Sequence, residues 1–102
     1  MENTFRELLP FLDGEGRLTA FPAKQEKKRM ALWYLAGKIA PGRDYTEGEI
    51  NALLEEWTCF HDPATLRREL YNKGLLDRAA DGSRYRKAEP LPTWEAFAAL
   101  DR

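Results

Sequence analysis

The sequence predicts an α+β winged helix: a three-helix core with a small β-hairpin wing, plus an N-terminal extension and a C-terminal docking helix. Three observations predict it. In the stretch 62–87, DPATLRRELYNKGLLDRAADGSRYRK, a helix runs straight into a hairpin. Two further apolar-periodic segments precede it, with room for one short strand between them. And 102 residues make one domain with a single modest core. The expected layout is an extension over 1–23, a core over 24–87 and a tail helix over 88–102.

In the first residues, MENTFRELLPFL, Thr4 and Glu7 form a capping box, and Phe5, Leu8, Leu9 and Leu12 form an apolar side. Pro10 removes a backbone donor there, so a break or kink is expected. Asp13-Gly14-Glu15-Gly16 reads as a turn, and Arg17-Leu18-Thr19 as a short strand. Residues 24–40 read as the longest helix, with Leu32, Trp33, Leu35, Ala36, Ile39 and Ala40 on one broad face. Met30, Tyr34 and Gly37 fall on the other side, which is too apolar for open solvent. Either the N-terminal segment or a partner must cover it.

Pro41-Gly42 ends that helix, and Arg43-Asp44-Tyr45 can form one strand. Thr46-Glu47-Gly48-Glu49 is a capping box opening the next helix, which buries Ile50, Leu53, Leu54 and Trp57. In the stretch 62–87, Asp62 is an N-cap, Pro63 takes the first helical position and Gly74 caps the end. Leu66 and Leu70 point inward. Leu75-Leu76 begins a strand, Asp81-Gly82 turns it, and Ser83-Arg84-Tyr85-Arg86-Lys87 returns. After Pro90 and Pro92, Thr93 caps a last helix docking through Trp94, Phe97 and Leu100.

Charge is segregated along the chain. The net charge is −1, yet residues 61–87 hold seven cations against four acids and residues 24–40 five against one. Residues 41–60 hold five acids against one cation, with Glu49, Glu55 and Glu56 on the outer face of the second core helix. In a DNA-bound helix-turn-helix that helix crosses the phosphate backbone, where such acids repel. A dedicated DNA binder is usually more basic overall. No stretch approaches a membrane span, the N-terminus shows no basic-then-apolar leader, and a single cysteine allows no internal disulfide. A cytoplasmic protein with no membrane contact is expected.

Several pieces together resemble a known family. They are Gly16-Arg17-Leu18 followed by Phe21-Pro22, Pro41-Gly42-Arg43 with Tyr45-Thr46-Glu47, and Leu66-Arg67-Arg68 leading to Gly74-Leu75-Leu76. Over roughly residues 8–87 the chain resembles an uncharacterised bacterial family, domain of unknown function 2087. Its members occur alone or attached to helix-turn-helix transcriptional regulators. The resemblance implies a winged-helix-like fold and a link to transcription regulation, and it supplies no activity, ligand or catalytic residue.

The residues themselves offer one candidate nucleic-acid surface: Thr65, Arg67, Arg68, Lys73, Arg84, Arg86 and Lys87, with Arg78 beside them. Guanidinium forks pair with phosphate or guanine edges, and a wing adds cations beside the backbone. The competing reading is that Arg67 and Arg68 pair with Glu69, Asp62 or Asp77 while the hairpin is merely solvated. Met30, Tyr34 and Tyr71 are the candidate partner-binding residues. The partners named are double-stranded DNA, another regulatory protein, or a second copy in a homodimer. A ligand pocket between the N-terminal segment and the long helix is a weaker third reading.

No enzyme, metal or cofactor is expected. Cys59, His61 and Asp62 are the one cluster of metal-ligand types, but one cysteine and one histidine cannot close a four-ligand zinc site. Neighbours on an extended chain point to opposite sides, so Cys59 and His61 make no nucleophile–base pair. The Gly14 and Gly16 loop carries acids and lacks the lysine of a phosphate-binding loop. Trp33 and Trp57 sit on apolar stripes and read as core.

Overall fold

A computed structural model describes residues 6–100. It is α+β: after an N-terminal 3-10 turn, Leu9–Phe11, come α1 (Gln25–Ala36), β1 (Asp44–Tyr45), α2 (Glu47–Glu56), α3 (Pro63–Asn72), β2 (Leu76–Arg78), β3 (Tyr85–Lys87) and α4 (Trp94–Leu100). The three strands form an antiparallel sheet in the order β1-β3-β2. This arrangement is compatible with a winged-helix-like fold.

Local chemistry sets most of the boundaries. Pro10 lies at the start of the 3-10 turn, which tightens the chain where an α-helix would lose its ladder. The expected cap at Thr4 and the apolar Phe5 lie outside the described residues, and Glu7 forms an ion pair with Lys27 at 3.5 Å. The expected strand at 17–19 is reduced to single bridges, Leu18 to Leu12 and Leu18 to Thr58. Leu18 donates its N–H to Trp57 at 2.8 Å and accepts from Cys59 at 2.9 Å, so the N-terminal segment is stitched to the α2–α3 connection.

Helix α1 is shorter than the expected 24–40, because Gly37 caps it and residues 37–39 continue as turns. Both of its apolar sides are covered. Met30 is 3% exposed within the core, so this expected partner-binding residue is unavailable to a partner in this fold. Tyr34 is half-buried and donates its hydroxyl to the Gly16 carbonyl at 2.8 Å. The N-terminal segment, rather than a partner, covers that side.

The two capping signals work as the sequence implies. Thr46 accepts from the Glu49 N–H at 3.1 Å, and the Glu49 carboxylate accepts from the Thr46 N–H at 2.9 Å. Asp62 caps α3 through the Thr65 N–H, Pro63 opens that helix, and Gly74 takes the left-handed φ of 79° just beyond it. Helix α4 packs on α1. There Trp33 donates to the Pro92 carbonyl at 2.9 Å, Trp94 meets Trp33 and Phe97 is 2% exposed. For Leu100 only the backbone is described.

One core joins these elements. Leu8, Leu18, Leu32, Leu35, Ile50, Leu54, Leu66 and Leu70 are fully or almost fully buried, with Tyr45 and Tyr85 closing the sheet side. Truncating Leu66, which is wholly buried, is expected to cost about 2–5 kcal/mol, a large share of the roughly 5–15 kcal/mol such domains hold. Leu9→Ala, at a side chain 58% exposed, should change stability by less than about 0.5 kcal/mol. Urea unfolding midpoints at constant slope check both.

Candidate cationic site between helix α3 and the hairpin

The hairpin places its side chains by strand alternation. In β3, Tyr85 points inward and is buried, while Arg86 is exposed. In β2, Leu76 is buried and Asp77 exposed, with Arg78 at the next inward-alternating position. Cross-strand register sets Asp44 and Asp77 on either side of Arg86, and Tyr45 and Arg78 on either side of Tyr85. The sheet therefore has two differently charged faces. Beyond Arg78 the loop closes through Ala79 donating to Arg84 at 2.9 Å, and Gly82 takes the positive φ the turn needs. Asp81 accepts from the Ser83 N–H and hydroxyl at 2.9 and 2.6 Å.

The outer face is internally balanced. Asp44 accepts from Arg86 at 2.8 Å and from Arg84 at 3.2 Å. The Arg86 hydrogen bond is the main cause holding the Asp44 carboxyl below its ordinary value, with Arg84 adding to it. These two hairpin arginines, expected to reach nucleic acid, are thus directed at an acid 40 and 42 residues earlier in the chain.

Arg67 is also engaged. Its side chain is 17% exposed, donates to Asn51 and lies 3.7 Å from Glu47, with its guanidinium over the Tyr85 ring at 5.8 Å. It braces α3 against α2 rather than pairing with Glu69, Asp62 or Asp77. Thr65 is half-exposed with its N–H committed to the Asp62 cap, and Lys73 and Lys87 are half-exposed near the two ends of the region.

Arg68 and Arg78 differ from these. Arg68 is exposed on α3 and has no hydrogen-bond or ion-pair partner among the described residues. Arg78 reaches from β2 over the ring of Tyr71, its guanidinium 5.7 Å from the ring centre. Arg67, Arg68, Tyr71, Arg78 and Tyr85 line a hollow of about 100 Å³ with no acid in its wall. Tyr71, at 46% exposure, is the expected partner-binding residue that does reach the surface. Helix position alone points to Arg68, whereas the sequence leaves Arg78 beside the candidate surface and gives Tyr71 to a partner. Their convergence depends on the hairpin folding back on α3.

The other candidate chemistry separates. The Cys59 thiol lies 3.8 Å from Asp13, whereas His61 lies 3.0 Å from Glu55. Among the described residues no three His, Cys, Asp or Glu side chains converge as a metal site would need. Nor is any helix of the described residues long and apolar enough to cross a membrane.

The class these features define is a small α+β domain with a cationic hollow where its third helix meets a hairpin. A family model described as an uncharacterized protein conserved in bacteria (DUF2087) matches residues 17–87. The chain belongs to this family. The match spans every element from the Leu18 bridges to β3 and leaves α4 outside it. No curated protein and no solved structure matches the chain.

The tie at Asp44 has a defined pH dependence. Its folded value lies below 3.8, so its stabilising contribution is present above that unfolded value and is lost as pH falls through the lower folded one. Carboxyl carbon NMR should show the Asp44 midpoint below 3.8 in the native chain and moved back towards it in Arg86→Gln. An unchanged midpoint in that variant would contradict the assignment of cause.

Proposed function

We propose that this chain is a non-enzymatic, winged-helix-like regulatory module associated with transcription, which contacts nucleic acid weakly through α3 and the hairpin. The order α1-β1-α2-α3-β2-β3 with sheet order β1-β3-β2 supports the winged-helix reading, since it puts α3 and the hairpin side by side. The observation that carries the functional reading is Arg68: an exposed guanidinium on α3, unpaired among the described residues, beside Arg78 from the hairpin. Guanidinium groups so placed suit phosphate contacts, which position a protein on a duplex without reading sequence. The contact is weak because Arg84 and Arg86 face Asp44 and because α2 carries Glu47, Glu49, Glu55 and Glu56.

A second reading, a protein–protein or dimerisation module that does not touch nucleic acid, is favoured by exposed Tyr71 and by the same acids on α2. Light scattering that finds a strict monomer at high concentration would remove its homodimer form. Fluorescence anisotropy with a labelled mixed-sequence duplex, repeated over a salt series, tests the leading reading. Arg68→Ala should weaken binding and reduce the salt slope by about one, whereas Arg84→Ala should change little. Identical salt-dependent retention of the native chain and Arg68→Ala would rule the leading reading out.

A further inference from the structure

We propose that the hollow between α3 and the hairpin is a seat for a single phosphate-type oxyanion, gripped by Arg68 and Arg78 with the Tyr71 ring beside them. This rests in part on the nucleic-acid reading, which would supply such a group as a backbone phosphate, but a free phosphate could occupy the same seat. Three features lead to it.

The first is unmatched charge. Three guanidinium groups line one small concavity whose wall holds no carboxylate. Arg67 is compensated by Glu47 and donates to the neutral Asn51 amide. Arg68 and Arg78 have no anionic partner among the described residues, and the contact Arg78 does make, with Tyr71, is to a ring face. Two guanidinium forks converging without an acceptor repel one another until an anion arrives, and a tetrahedral oxyanion can take bonds from both.

The second is size. About 100 Å³ corresponds to roughly three waters of liquid volume. That suits one phosphate group and is well under the roughly 300–1,000 Å³ of sites that enclose a nucleoside-sized or drug-sized ligand. The third is contrast with the adjoining hollow of about 260 Å³, which shares Arg78 and Tyr85 but includes Asp44 and Asp77. There the protein's own carboxylates already stand where an anion would.

The test uses the full chain and two probes, inorganic phosphate and a short mixed-sequence duplex. Inorganic phosphate should move the Arg68 and Arg78 Nε–H signals in nitrogen-15 NMR and leave those of Arg84 and Arg86 in place. Chloride at matched ionic strength should move none of them. The double variant Arg68→Gln/Arg78→Gln should lose the phosphate response and about two units of the duplex salt slope. Arg68→Lys, which keeps the charge but not the fork, should lose most of the phosphate response while its amide spectrum stays native.

Duplex binding that weakens in the double variant, with no phosphate response at the hollow in the native chain, overturns the seat and leaves the nucleic-acid reading standing. A phosphate response without duplex binding supports the seat with a free oxyanion as its occupant and overturns that reading. Neither response overturns both.

Discussion

Tyr85 lies at the centre of a sheet whose strands are only two or three residues long, too short to be stable by their own ladder hydrogen bonds. Its ring is buried, pairs in register with Tyr45 and sits under the Arg67 guanidinium that also reaches α2. Because β3 is the middle strand, this one buried side chain fixes three things together. The hairpin is held against the helices, β1 is held between α1 and α2, and α3 is braced on its neighbour. Tyr45 extends the arrangement by accepting the Ala40 N–H on its hydroxyl at 3.0 Å, which secures the chain as it leaves α1.

Strand alternation around Tyr85 then sorts the cations. Arg86 faces away from the core and meets Asp44, while Arg78 shares the Tyr85 side and turns towards Tyr71. Seven positive side chains lie between residues 61 and 87, yet their chemistry differs completely. Arg84 and Arg86 neutralise an acid from another part of the chain, Arg67 is structural, and Arg68 and Arg78 line the hollow. A count of charges along the sequence cannot make that distinction.

How much was legible follows from the range of each interaction. The Thr46–Glu49 box, the Asp62 cap and Gly74 are encoded within a few residues and form where the sequence places them, and the hairpin forms with shorter strands, Leu76–Arg78 and Tyr85–Lys87, than the expected starts at Leu75 and Ser83. Helix α1 ends before its expected boundary at residue 40, because Ile39 continues the apolar period after the helix has stopped. Ile39 is still buried, but Gly37 ends the helix first. Met30 and Tyr34 lie outside the main apolar stripe and leave two possible covers, the N-terminal segment or a partner, and the structure shows the first. The partners of Arg67, Arg84 and Arg86 lie 16 to 42 residues away, and local spacing favoured nearer acids. Long-range ion pairs leave no periodicity to read.

The same sorting sets the scale of any contact with nucleic acid. A protein that neutralises many phosphates loses roughly a thousandfold or more in affinity between low and moderate salt. Two free guanidinium groups support a slope near two, which over a fourfold rise in salt amounts to about tenfold. A net charge of −1 provides no long-range attraction to a polyanion, so encounter is unsteered and only the local geometry helps. The acids on α2 limit approach further, since Glu47 and Glu49 lie at the start of the helix that Arg67 braces against α3. A surface with these proportions can grip one or two phosphates, but sequence discrimination needs base-edge contacts beyond that grip. Under the nucleic-acid reading, then, the cationic hollow explains where the domain would touch a duplex and leaves target choice to other contacts.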